Sequence, residues 1–98
     1  MEPRDHRFEM ALTLAEMRRL APHLDPAYPV VECPDGVDGR FHGETHLWGL
    51  RLTSPRLREI ALIRFPVADV TLHLEGFDDE LERRFLARFH LVFRKGGG

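Results

Sequence analysis

The stretch 60–77, Ile-Ala-Leu-Ile-Arg-Phe-Pro-Val-Ala-Asp-Val-Thr-Leu-His-Leu-Glu-Gly-Phe, runs straight into 78–94, Asp-Asp-Glu-Leu-Glu-Arg-Arg-Phe-Leu-Ala-Arg-Phe-His-Leu-Val-Phe-Arg. Residues 60–65 and 70–77 are rich in branched and aromatic side chains and flank Pro66-Val67-Ala68-Asp69, which predicts a β-hairpin turning at 66–69. In its second strand Val70, Leu72 and Leu74 point one way and Thr71, His73 and Glu75 the other, the alternation of a sheet with one wet face. A helix is predicted from about Asp78 toward Arg94. Leu81, Phe85, Phe89 and Phe93 recur every four residues, with Leu86 and Val92 widening the stripe. Asp78, Asp79, Glu80 and Glu82 sit at its positive end, and Arg88, Arg94 and Lys95 toward its negative end. The pairs Asp79–Arg83 and Glu80–Arg84 contribute about 0.3–0.5 kcal/mol each, whereas burying each Phe ring contributes about 1.5–3 kcal/mol. Packing dominates, so the helix must lie on a sheet, and Gly96 suits its C-terminal stop.

Upstream, Phe8, Met10 and Leu12 alternate with Glu9 and Ala11, which predicts a half-buried strand. Thr13-Leu14-Ala15-Glu16 then forms a capping box. A helix starting there buries Leu14, Met17, Leu20 or Ala21, and Leu24, and Pro22 and Pro26 keep it short. From Asp25 to Gly43 the chain is dense in Pro and Gly turn signals, including Pro34-Asp35-Gly36 and Asp38-Gly39, with a short strand at Val30-Val31-Glu32-Cys33. His46 to Thr53 returns to a period of two, with Trp48, Leu50 and Leu52 on the apolar side, and Ser54-Pro55 is expected to end that strand. The order is β-α-(β)-β-β-β-α. It specifies an α+β two-layer sandwich: a mainly antiparallel sheet of four or five strands with two helices on one face. The 98 residues make a single domain, with 1–6 and 95–98 expected to be loose ends.

Composition narrows the function. The net charge of −2 lacks the basic field of a nucleic-acid binder, although 14 residues are basic and all but Lys95 are arginine. A single cysteine, Cys33, precludes an internal disulfide and suits a reducing compartment. The opening Met-Glu-Pro-Arg-Asp-His-Arg has no signal-peptide core, and no apolar run approaches the roughly 18 residues of a membrane span. A cytoplasmic protein without membrane contact is the expectation.

Six histidines offer the first candidate chemistry. His42-Gly43-Glu44-Thr45-His46, with Cys33 upstream, is the best metal-ligating cluster, and Zn or Cu would be its metal. In a strand, His42 and His46 would share a face about 13 Å apart, so a bend is needed to bring them to one ion. Cys33 with His42 or His46 could form a nucleophile–base pair, but Glu32 and Asp35 beside the thiol oppose a thiolate. Gly76-Phe77-Asp78-Asp79 repels anions, so it is no phosphate cradle. Arg51, Arg56, Arg58 and Arg64 could form a basic strip with Trp48 and Phe41 as stacking platforms, yet Trp48 falls in phase with the core. Gly96-Gly97-Gly98 resembles the tails of carriers activated at a terminal glycine, but such tails follow a strand and this one follows a helix.

No catalytic constellation emerges, so an enzyme is not expected. The leading expectation is a small non-catalytic binding or adaptor module that contacts another protein or itself, with a homodimer as one form and no required cofactor. Its contact surface is expected around Asp35, Asp38, Arg40 and Phe41 in the Pro/Gly-rich segment, with His73 and Glu75 on the wet face. The alternatives are a metal-binding protein using Cys33, His42 and His46, and a carrier acting through its C-terminal glycines.

Overall fold

The computed structural model describes residues 3–44 and 47–97, and for 34, 35 and 95–97 the backbone alone. Five strands, β1 (Arg4–Met10), β2 (Val30–Asp35), β3 (Asp38–Gly43), β4 (Trp48–Ile60) and β5 (Ile63–Leu74), make one antiparallel sheet in the order β1-β5-β4-β3-β2. Helices α1 (Leu14–Leu20) and α2 (Asp79–Gly97) pack on one of its faces. This is the α+β sandwich that the sequence implies. No helix among the described residues is long and apolar enough to cross a membrane.

The helices start where their caps place them. Thr13 Oγ1 accepts from the Glu16 amide at 3.1 Å, and the Thr13 amide donates to Glu16 Oε1 at 3.1 Å, so both halves of the capping box are made. Pro22 then tightens the chain into a 3-10 turn, Ala21–Leu24. At α2 the Asp78 carboxylate accepts from the Leu81 amide at 2.8 Å. Phe89 and Phe93 are fully buried against Leu50, Leu52, Val70 and Leu72, and the Phe8 ring of β1 stacks on Phe89 at 5.3 Å. Leu81, expected in the same stripe, is half exposed; Phe77 packs edge-on against Phe85 at 5.6 Å instead. The helix also continues to Gly97, past the stop expected at Gly96.

Three features of the sheet differ from the sequence expectation. The segment after Pro34 turns once, with Gly36 at φ +65°, and then forms a further strand, β3, paired with β2, where the sequence shows only turn signals. Ser54-Pro55 does not end β4: Ser54 takes φ +53°, the register shifts between Thr53 and Arg56, and the strand goes on to Ile60. A bulge absorbs the extra residue, so the proline's missing donor breaks nothing. The β4–β5 turn is Ala61-Leu62, not 66–69, and Pro66 lies inside β5 opposite Leu57. It is tolerated there because β1 pairs only with 68–74, so β5 has an open edge at that point.

β4 and β5 therefore outrun their neighbours. β3 pairs with β4 only as far as Leu52, and β1 with β5 only as far as Ala68. Beyond them the hairpin continues as a two-stranded arm. A strand of 13 residues spans about 43 Å at roughly 3.3 Å per residue, which matches the molecule's 45 Å long axis against 26 and 23 Å across.

Candidate functional site

Alternation along the strands sends Phe41, Trp48, Leu50, Leu52, Val70, Leu72 and Leu74 into the core beneath the helices. Their neighbours form the opposite, open face, and the pairing register sorts those neighbours into rows across the sheet. The central row reads Arg7, Thr71, Arg51, Arg40, Cys33 from β1 to β2. The next row toward the Trp48 end reads Asp5, His73, Gly49, His42, Val31. On the other side come Glu9, Asp69 and Thr53, with Asp38 at the start of β3. Gly49 has no side chain to fill the middle of its row. A shallow depression of about 630 Å³ results, bordered by Cys33, Arg40, His42, Arg51, Thr71 and His73.

The two ends of this depression differ electrically. At one end His73 Nδ1 lies 2.6 Å from Asp5 Oδ1, and its Nε2 lies 3.9 Å from Glu75, so that end is lined by carboxylates around an imidazole. His42 donates from Nδ1 to its neighbour's carbonyl, Gly43 O, at 2.7 Å. At the other end Arg40 and Arg51 lie directly across from each other on β3 and β4, and neither has an ion-pair or hydrogen-bond partner among the described residues.

The bulge explains why. One extra residue in β4 rotates Arg56 and Arg58, in place of Pro55 and Leu57, onto the open face. Arg56 then bridges Glu9 and Asp69, and Arg58 also pairs with Glu9 at 2.6 Å. Two carboxylates of the row beside the central arginines, Glu9 and Asp69, are thereby occupied by the arm. Arg64 pairs with Glu59 across the hairpin at 3.4 Å. Three arginines of the basic strip expected from sequence, Arg56, Arg58 and Arg64, are thus neutralised, and Arg51 has no partner among the described residues.

Arg40, His73 and Glu75 of the expected contact surface border the depression together with Cys33 and His42 of the expected metal cluster. Phe41 also borders it, but its side chain is buried on the helix side of β3, because its neighbours Arg40 and His42 take the open face. Asp38 stands a row away from Arg40. His46 and Gly98 lie outside the described residues, as does the side chain of Asp35. Among the described residues no three His, Cys, Asp or Glu side chains gather as metal ligands. Arg51, Thr71 and Asp5 join the site only through the register, which places separate strands side by side.

The arm is the second conspicuous surface. Leu62 is 97% exposed, Leu57 68%, Ile63 67% and Ile60 58%. Ile60 pairs with Ile63 and Arg58 with Phe65, so Ile60, Ile63 and Phe65 lie along the open face of the ribbon, while Leu57 lies on its back.

A third cluster has a structural role. Arg4 donates to Asp79 at 2.8 Å and to Glu82 at 2.7 Å, and His6 Nε2 lies 2.8 Å from Glu82, tying the first turns of α2 to β1. The hydrogen bond from His6, and then that from Arg4, hold the Glu82 carboxyl below its ordinary range. Likewise the two-pronged contact of Arg18 with Glu32 lowers that carboxyl and fastens α1 to β2. No protein-family model, curated protein or solved structure matches this chain.

Proposed function

We propose that the protein is a non-catalytic binding module whose contact surface is the β4–β5 arm, and that the arm's occupant is a second copy of the same chain. The exposure of Leu57, Ile60, Leu62 and Ile63 beyond the end of the sheet carries this reading. A two-stranded ribbon is marginal in water unless a third strand or another surface covers it. Four large aliphatic side chains exposed within seven residues, 57–63, make the end of the arm the kind of surface that marks an association site.

The charge pattern favours a copy of the chain over a charged partner. In a two-fold contact each patch meets itself, so uncompensated charge would be repelled by its own image. The tip 60–63 carries no charge. Arg56 and Arg58 are held by Glu9 and Asp69, and the one further pair, Glu59 with Arg64, has both signs. Across a two-fold axis Glu59 of one copy can exchange partners with Arg64 of the other without loss.

Sedimentation equilibrium of the full chain and of Leu62→Glu/Ile63→Glu tests the reading. The expected result is a two-chain mass for the parent and a one-chain mass for the variant, with unchanged far-ultraviolet circular dichroism. A parent that stays monomeric at its solubility limit, or a variant that stays dimeric, overturns it.

A further inference from the structure

The geometry points to a second site, independent of the arm: the open-face depression binds a phosphoryl dianion, held between Arg40 and Arg51 above Gly49. The observation behind it is an electrostatic imbalance built into the register. Arg40 and Arg51 are directly opposed cross-strand neighbours, a position that sets Cβ atoms about 4.5–5.5 Å apart and makes like charges repel. Among the described residues neither guanidinium has a partner, and Arg7 in the same row has none. In the adjoining row Glu9 and Asp69 are held by Arg56 and Arg58, which leaves Asp38, among the described residues of that row, against three arginines. An anion is what the arrangement lacks.

The shape and the charge select its class. Two guanidiniums offer planar forks of donors suited to oxyanions. Between them they carry two positive charges, which a carboxylate would half balance. A phosphoryl group, with a second pKa of about 6, carries nearly two negative charges at neutral pH. The hydroxyl of Thr71, opposite Arg51 on β5, adds a donor from the other side. The absent side chain of Gly49 leaves room for the group to which the phosphoryl is attached. Asp38, whose carboxylate has no partner among the described residues, stands one row from Arg40 and opposes the anion. Cys33 is exposed directly across from Arg40, where its alkylation reports whether the site is filled.

The test is thermal melting and calorimetry of the full chain with orthophosphate, phenyl phosphate or acetate, each against potassium chloride at matched ionic strength. A saturable rise in melting temperature with one of the phosphates, absent with acetate, is expected, together with slower alkylation of Cys33. Tighter binding of phenyl phosphate marks a phosphomonoester as the ligand, and tighter binding of orthophosphate marks the free ion. Arg51→Gln and Arg40→Gln should melt at or above the parent temperature without phosphate, since a repulsion is removed. Each should weaken phosphate binding tenfold or more, the scale of one charge-assisted hydrogen bond, while Asp38→Asn should tighten it. No saturable binding, equal binding of acetate, or binding undiminished in both arginine variants overturns the site.

Discussion

Gly43 lies against the edge of the Trp48 indole, so near that a methyl group there would stand 2.5 Å from Nε1 and 3.0 Å from Cδ1. The indole cannot give way easily: Nε1 donates to Asp25 at 3.4 Å, and the ring packs on Phe85 at 5.6 Å. Gly43→Ala should therefore destabilise the fold by about 1–3 kcal/mol, the usual cost of overpacking. Chemical denaturation would measure it, and a loss below about 0.5 kcal/mol, typical of surface substitutions, would show that the indole moves freely.

Ala61 turns the arm at φ +55°, a conformation that costs an L-residue about 1–2 kcal/mol. Glycine relieves that cost, so Ala61→Gly should slow amide hydrogen exchange along 57–66. Faster exchange would mean that the strain is not located at the turn.

Acid should loosen the tie between β1 and α2. The Glu82 carboxyl is lowered from 4.5 by His6 and Arg4, so the folded state binds its proton less readily than the unfolded state does. Its stabilising effect is complete above the unfolded value and disappears as pH falls through the lower folded one. Melting temperatures of the parent and of Glu82→Gln should differ most near neutrality and converge in acid. Parallel curves would place the acid sensitivity elsewhere.

Arg56 touches neither Arg40 nor Arg51, yet it holds Asp69 beside their row. Arg56→Gln should release that carboxylate toward Arg51 and reduce the melting shift produced by phosphate. An undiminished shift would show that Asp69 does not compete for the row.

Much of the architecture is written in local pattern. Thr13 and Glu16 announce α1, Phe89 and Phe93 mark the packed stripe of α2, and Trp48, Leu50 and Leu52 alternate as a core strand should. The β4–β5 turn escapes such reading because Ala61-Leu62 carries no turn chemistry, whereas Pro66 and Asp69, inside β5, do. β3 hides for a different reason: Arg40, Phe41 and His42 alternate too briefly between glycines to stand out. The wet-face role of His73 and Glu75 follows from alternation alone. The opposition of Arg40 to Arg51 does not, because it depends on a register between strands that a bulge and two turns must set. The bareness of Leu57, Ile60, Leu62 and Ile63 is equally invisible, since it arises from where the neighbouring strands end.

The pairing of β1 with β5 governs how the chain can assemble as it is synthesised. Arg4 sits opposite Leu74, so the first strand waits for a partner that lies about 70 positions further along the chain. The meander β2–β5 needs only adjacent segments and can close first, since short loops cost little entropy. β1 must add last along β5, and α2 can seal the core only after that, because Phe8 and Phe89 complete each other's burial. Until then β5 is an open sheet edge on a nascent chain, next to an arm already rich in exposed aliphatic residues. Chaperone dependence and losses during rapid expression should therefore be set by the interval before β1 docks rather than by the stability of the finished fold.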